Sequence, residues 1–392
     1  MTVATLRGSK HLILVLLISF ASISGVLFTP SLPDLARSFD IPDSVAQWAM
    51  SIFLIGYSLG QLLYGPVANR FGRKKSIYCG AMLAIIGVAI CLFSTHFIVF
   101  CLGRLIQALG AAAGLKVAFT MIGDLYKGAN ATKVLSYVML AFAVVPGIGV
   151  AIGGFITASY GWQGCFAFLL AYSLFVGLLC TQLPETAPKL DPDALQMKKI
   201  VSSLGAQFKD PFLVWHALLM SLGTSLIYLF ATVAPYIAIE QMGLSPDQYG
   251  LWNLIPSVGM VIGLFTSAHF SVRLAPRIAM LSGILLALIG ALVMGALFSN
   301  GYINPLTFFV PGMLILVGDS IFFSASSGKA LSEAKDKSNA SAVMQFINMS
   351  VTTTIVLIAG IALPFAPQVL SAILGVVSFM ALCVWLKLKA HH

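Results

Sequence analysis

Apolar residues in this chain come in long unbroken blocks, and polar residues are confined to the short stretches between them. Twelve blocks are long enough to cross roughly 30 Å of hydrocarbon as helices. They cover residues 10–30, 45–65, 76–94, 97–123, 133–158, 163–182, 212–237, 247–270, 277–298, 304–328, 339–362 and 367–387. The connections are short except between Leu183 and Pro211, where the chain turns polar (P-E-T-A-P-K-L-D-P-D-A-L-Q-M-K-K). The pattern predicts an all-α integral membrane fold: residues 1–182 form one six-helix bundle, 183–211 a cytoplasmic linker and 212–392 a second six-helix bundle. T-P-S-L-P-D-L-A-R-S-F-D-I after the first helix is echoed about 205 residues later by A-P-Y-I-A-I-E-Q-M-G-L after the seventh. Parallel six-helix repeats of this kind place a substrate site between the halves near mid-membrane.

Composition agrees: 59% of the 392 residues are hydrophobic, 9% are charged, and mean hydropathy is +0.97. No soluble fold hides that much apolar surface. The net charge of +9 does not indicate nucleic acid, because the basic residues lie in short clusters at the ends of apolar blocks. With the N-terminus inside, Arg37 is the only Lys or Arg in an outer loop. Arg104 and Lys116 lie within spans, and the rest, from Arg7 and Lys10 to Lys127, Lys133, Lys335 and Lys389, fall on the cytoplasmic side. Cytoplasmic loops hold the excess of Lys and Arg, so both termini are expected in the cytoplasm. The first block lacks a small-x-small cleavage site and leads straight into a second span, which marks it as a retained helix. Cys79, Cys91, Cys101, Cys165, Cys180 and Cys383 all lie in apolar blocks with no C-x-x-C pair, and read as small reduced core residues. The terminal His391 and His392 are given no role.

One basic connection stands out, G-P-V-A-N-R-F-G-R-K-K from Gly65 to Lys75, between the second and third spans. It resembles the loop between the second and third helices of the major facilitator superfamily, G-x-x-x-D-R-x-G-R-[KR], with Gly65, Arg70, Gly72 and Arg73 in place. Asn69 stands where that family has an acid. The alternative reading is a positively charged turn.

Ionisable groups inside a bilayer cost several kcal/mol and mark function by default. Arg104 and Lys116 in the fourth helix and Asp319 in the tenth are such groups. Arg104 and Gln107 share a helix face within R-L-I-Q-A-L-G-A-A-A-G, which resembles the R-x-x-Q-G-x-G-A-A pattern of proton-coupled relatives. That resemblance implies a part for Arg104 in proton coupling; the alternative is an arginine tied to carbonyls at a helix break. Lys116 either faces a cavity as a cation or snorkels to the membrane surface. Asp319, in L-V-G-D-S, is the candidate proton carrier, against a purely structural hydrogen-bond role. A substrate cavity is expected around Arg104, Gln107, Lys116 and Asp319. In the fifth helix, V-P-G-I-G-V-A-I-G-G resembles a degenerate form of the antiporter signature G-P-x-x-G-G, which assigns Pro146, Gly149, Gly153 and Gly154 to conformational change; plain glycine-mediated packing is the alternative.

L-P-E-T at Leu183–Thr186, P-Y-I-A-I-E-Q-M-G-L-S-P-D-Q-Y-G-L, L-F-T-P-S-L-P and G-Q-L-L-Y-G-P together make the chain similar to the bicyclomycin-resistance type of drug:proton antiporters. The resemblance implies a monomeric twelve-helix major facilitator fold in the bacterial inner membrane, exporting a small organic molecule in exchange for protons, without cofactor, metal or nucleic acid. Val26 stands where that type has a first-helix aspartate. This departure, with Lys116 and Arg104, keeps open a carrier of an anionic metabolite such as a carboxylate or carboxylate siderophore. No H-E-x-x-H, G-x-S-x-G or G-x-x-x-x-G-K-[ST] occurs, and His216 and His269 stand alone in different helices, so the chain does not read as an enzyme.

Overall fold

The structure is a computed structural model, and it describes residues 8–126, 129–273, 275–334, 336–362 and 366–390. Arg7, Lys127, Lys335, His391 and His392 lie outside the described residues. The membrane helices are α1 Gly8–Val26, α2 Trp48–Phe71, α3 Arg73–Leu92 and α4 Phe97–Leu125. In the second half they are α7 Pro211–Pro235, α8 Leu254–Arg273, α9 Pro276–Ser299, α10 Pro305–Glu333, α11 Lys337–Ala362 and α12 Pro367–Ala390. Between α4 and α7 lies one helical stretch of 52 residues, Ala129–Cys180. Straight, it would run roughly 78 Å, more than twice the hydrocarbon thickness. It turns at Gly161 (φ 64, ψ −166), where the Trp162 N–H donates to Asp34 Oδ2 at 3.1 Å. Residues 129–160 are therefore α5 and residues 162–180 are α6, and the expected twelve crossings are present. The polar linker is not all coil: Met197–Phe208 is helical, and its Leu204 packs on a cluster containing Leu213, Ala217, Val343 and Met344.

The outer faces of the bundle carry large apolar side chains, among them Met82, Leu178, Phe265 and Leu292, exposed as a lipid-facing surface requires. Inside, the two halves use the same packing scheme. α3 packs on α4 as α9 packs on α10, α2 on α4 as α8 on α10, and α1 on α4 as α7 on α10. The close approach of α3 and α4 comes from paired glycines. A Cβ on Gly80 would lie 2.9 Å from the Gly110 carbonyl oxygen, and one on Gly87 would lie 2.7 Å from that of Gly103. The α9–α10 crossing repeats this, with Gly283 against Gly318 (2.5 Å) and, seven residues on, Gly290 against Pro311 (3.0 Å). Small residues let backbones meet where lipid offers no hydrophobic drive for association. The two helices that hold the embedded charges are thus each clamped by their neighbour at two levels.

Across the halves, α2 packs on α11 and α5 packs on α8. Exchanging each helix with the one six places later turns the first contact into the second, which is the relation a twofold axis between the halves imposes. At the end opposite the Gly65–Lys75 loop the halves meet directly. Arg37 pairs with Glu240 (3.7 Å), the Tyr236 hydroxyl donates to the Asp43 carbonyl (3.5 Å), and the Gly360 backbone lies against the Gln47 side chain. Further in, Ser58 and Ser350 hydroxyls are 3.4 Å apart.

Candidate functional site

Arg104 has no solvent exposure. Its Nε donates to the Ala49 carbonyl (3.2 Å), and its Nη1 donates to the Ser24 carbonyl (2.9 Å) and to Gln107 Oε1 (2.8 Å). The rings of Phe28 and Phe53 each have their centre 4.3 Å from the guanidinium carbon, within the range of cation–π attraction. Its Nη2 and the Gln107 Nε2 find no partner among the described residues. Arg104 therefore ties α4 to the end of α1 and the start of α2 within the first half. Cys91 and Cys101 of the first half and, more weakly, Tyr228 of α7 in the second half are its electrostatic neighbours, and the Tyr228 hydroxyl approaches Gly25.

Asp319 is 1% exposed, and its Oδ1 has no hydrogen-bond partner among the described residues. It occupies space that glycine leaves open on the facing helix, since a Cβ on Gly223 would collide with that oxygen and would lie 2.9 Å from Phe322. Asp319 follows Gly318, which occupies in α10 the place of Gly110 in α4, so it stands about two turns, roughly 10 Å, further along the bundle than Arg104.

Lys116 lies twelve residues beyond Arg104 on α4, roughly 18 Å along the axis. It is half-buried; its stem crosses α2 at Gly65, with Cε 3.8 Å from where a Cβ would stand. Asp336, in the connection between α10 and α11 of the other half, lies within electrostatic reach of it. Asp336 in turn accepts from the Asn339 N–H (3.1 Å) at the start of α11. Of the four residues expected in one cavity, the structure brings Arg104 and Gln107 into contact and gives Asp319 and Lys116 separate surroundings.

The Gly65–Lys75 stretch, expected as a connection, is helical on both sides of the single residue Gly72, and it is held by groups whose part in it the motif did not reveal. Gly72 adopts φ 96, ψ 161, a region essentially reserved to glycine. Directly beside it lies the Glu185 carboxylate from L-P-E-T, which accepts from the N–H groups of Arg73 (2.8 Å) and Lys74 (3.1 Å). These are orphan donors at the start of α3, and an anion there also meets the positive end of the helix dipole. Glu185 further accepts from the N–H of Thr186 and of Ala187, both at 2.9 Å. Partial burial opposes its charged form, but the donors from Ala187, Arg73, Lys74 and Thr186 prevail and hold the carboxyl below its ordinary range. Arg73 pairs with Asp124 at the end of α4 (3.1 Å), and its Nη1 donates to Asn69 Oδ1 (2.9 Å) and the Ala68 carbonyl (2.8 Å). Asn69 thus acts as an uncharged acceptor while Asp124 supplies the negative charge. Arg70 donates to the Pro192 carbonyl, and Lys74 Nζ to that of Thr181 (2.9 Å). Glu185 was legible as part of L-P-E-T and Asp124 only as a residue near a helix end; nothing in their spacing from Gly72 or Arg73 marks either as its partner.

In α5, the glycines divide between two seams. Gly149 and Gly153 face α1, with Gly153 against the Leu27 carbonyl. Gly154 meets the Pro246 carbonyl and Gly250, and Gly147 meets Ser257 of α8, so this pair lies on the contact between the halves. Pro146 sits inside the helix one residue before Gly147.

Two six-helix halves around a buried carboxylate and a caged arginine, with a braced basic loop, define a multi-pass carrier of the secondary-transporter class. The sequence matches the Major Facilitator Superfamily over residues 12–350, and the chain belongs to that family. Multidrug resistance protein D of Escherichia coli K12 is 24% identical over 323 residues, covering 82% of this chain and 80% of that protein. Multidrug resistance protein MdtL of Salmonella paratyphi B is 29% identical over 328 residues, 81% and 80% of the two chains. Among solved structures, the partially occluded inward-open xylose transporter XylE of E. coli superposes with a TM-score of 0.76 at 18% identity, covering 97% of each chain. A peptide transporter in complex with sulfate gives 0.74 at 14%, covering 98% of this chain and 94% of that one. At such identities these two establish the fold. The family and these neighbours are transporters, and the chain is not an enzyme.

Proposed function

We propose that this protein is a proton-coupled exporter of small, lipophilic organic molecules, working as a monomer by alternating access in a bacterial inner membrane with both termini in the cytoplasm. The observation that carries the reading is Asp319. A carboxyl group 1% exposed, with one oxygen unpartnered and a glycine opposite it, is costly unless it spends part of each cycle protonated. The multidrug-resistance names of its relatives support export and substrate class. The halves at 1–182 and 212–392 are the rocking bodies, joined by 183–211, and the α2–α11 and α5–α8 contacts are the surfaces that exchange. Gly147 and Gly154 on the latter seam let it close without side chains in the way. Arg104 acts as a fixed positive charge whose cage is made from α1 and α2 and whose neighbour Tyr228 belongs to the other half, so rocking alters its field.

The anionic-metabolite reading drew on Lys116 as a cavity cation. Asp336 of the other half lies within electrostatic reach of it and offsets part of that charge, which weakens the anionic reading relative to export of a small lipophilic molecule. The test is reconstitution of wild type and Asp319→Asn with a pH gradient and ethidium as probe. Wild type should concentrate ethidium against its gradient, and Asp319→Asn should only exchange it downhill. Gradient-driven accumulation by the variant would remove Asp319 from the mechanism.

A further inference from the structure

α7 and α10 run antiparallel in one fixed register. Phe230 lies on Gly312 (3.1 Å from its Cβ position), Gly223 lies on Asp319, and His216 Nδ1 is 2.9 Å from Ser326 Oγ. Each step is seven residues on both helices, two turns or roughly 10.5 Å. The His216–Ser326 pair is therefore directly in line with Asp319 on the same seam, two turns nearer the basic end. His216 is 4% exposed, and Ser326, fully buried, also donates to the His216 carbonyl at 3.1 Å.

A cavity of about 150 Å³ opens beside this pair, lined by His216, Pro276, Arg277, Met280, Lys329 and Trp385. Those residues come from the ends of α7, α9, α10 and α12 that share the side of the Gly65–Lys75 stretch, and the volume is enough for several waters. Between the pair and Asp319 the turn is filled by Phe322, fully buried and resting on Gly223. The arrangement has a wet mouth, a polar relay, an apolar plug and a buried carboxyl in sequence, all within the second half. Asp319 itself faces Gly223 of that same half.

We propose that Asp319 exchanges its proton with the cytoplasm along this α7–α10 seam, through Ser326 and His216 into the cavity, by a path separate from the substrate cleft between the halves. The proposal rests on Asp319 as proton carrier. In the direction of release, Phe322 moves aside, the Asp319 O–H bond breaks and a water in the gap takes the proton. Ser326 Oγ accepts a proton from that water while passing its own hydrogen to His216 Nδ1, and the ring gives up its Nε2 proton to water in the cavity. Asp319 ends as carboxylate, Ser326 is unchanged, and the ring is neutral with hydrogen on Nδ1. That tautomer fits the observed geometry, in which the Ser326 hydroxyl donates to the His216 carbonyl. A half-turn of the ring about Cβ–Cγ presents the Nδ1–H to cavity water; Nε2 gains a proton from water as Nδ1 loses its own to water, and the return turn restores the other tautomer.

The charged groups around the mouth are Arg277 from α9, Lys329 from α10 with its partner Glu333, and Lys387 from α12 over the Trp215 ring. On α7 itself Asp210 caps the first turn, and α11 has Lys337 at its first position as its one charged residue. The mouth is net positive, so hydroxide and buffer anions are drawn to it as proton acceptors.

The experiment needs no substrate. Infrared difference spectroscopy of the purified full-length protein follows the carboxylic C=O band that Asp319→Asn removes, after a rapid rise in pH. In wild type the band decays; in His216→Gln the decay should slow by on the order of a hundredfold, the typical contribution of a positioned proton-transfer group. Its titration midpoint should stay in place, and Ser326→Ala should slow it in the same way. A structural role for His216 would move the midpoint and leave the rate, which would overturn the relay, as would wild-type kinetics in both variants. If Asp319→Asn removes no band, the carrier reading fails instead, and the relay with it.

Discussion

Replacing Gly72 with alanine tests the braced loop, and the structure sets the size of the effect. The backbone at φ 96, ψ 161 is one that L-residues reach only with strain of about 1–3 kcal/mol. The new Cβ would also collide with the Glu185 carboxylate, displacing the group that caps two N–H donors of α3. Losing a cap costs about 0.5–2 kcal/mol. Together the two predict a loss of roughly 1.5–5 kcal/mol in local stability, with the protein still inserted because no apolar span changes. Glu185→Ala alone removes the cap without the strain. In the double variant the cap is lost only once, so the two effects fall short of adding by about the value of the cap. Hydrogen exchange at the Arg73 and Lys74 amides reports the local opening directly, and transport in vesicles reports its consequence. If Gly72→Ala stays within about 0.5 kcal/mol of wild type, the range of an ordinary surface change, or if the double variant is strictly additive, the clash argument is wrong.

The same tie is pH-dependent. Because the Glu185 carboxyl sits below its ordinary range when folded, its contribution is present above about pH 4.3, the ordinary glutamate value, and is lost as pH falls through the folded value. Exchange at the start of α3 should accelerate on acidification in wild type and be pH-insensitive, after correction for intrinsic rates, in Glu185→Gln. Gly223→Ala forces Asp319 or Phe322 to move; a loss of about 1–3 kcal/mol in thermal stability is expected, as for overpacking, with coupling impaired more than downhill exchange. Lys116→Ala and Asp336→Asn should each weaken the hold between the halves by no more than about 1 kcal/mol, with the double variant no worse than either single one. Thermal shifts by ethidium should survive Lys116→Ala, and stabilisation of the wild type by carboxylates alone would reinstate the anionic reading.

The helices were legible because crossing a membrane demands about 20 apolar residues, and that requirement is written locally in the sequence. The break between α5 and α6 was legible as well, as the gap between the blocks at 133–158 and 163–182, and the structure places the turn at Gly161 within that gap. What stayed hidden was the helix Met197–Phe208. Its residues look like linker, and only packing of Leu204 on the α7–α11 cluster gives it a partner. The glycine pairs at α3–α4 and α9–α10 could be counted in the sequence, but which glycine meets which depends on the crossing point, a tertiary fact.

The site was legible as a set of residues and not as a set of relations. Arg104, Lys116 and Asp319 announce themselves because charge inside a bilayer is rare, and the same rarity invites the assumption that they meet. Their spacing argues otherwise: Arg104 and Lys116 are roughly 18 Å apart along one helix, further than two side chains on one ligand are commonly held. Each has instead its own answer, an aromatic and carbonyl cage for Arg104, Asp336 for Lys116, and a glycine-lined slot for Asp319. The groups that surround these charges are mostly uncharged or distant in sequence, as Ser24, Ala49, Gly223 and Asp336 are. A carrier that must couple a proton to a substrate gains from this separation. A proton site held within one half can be loaded and emptied by small motions of its own helices, while the larger rocking between the halves is left to the substrate.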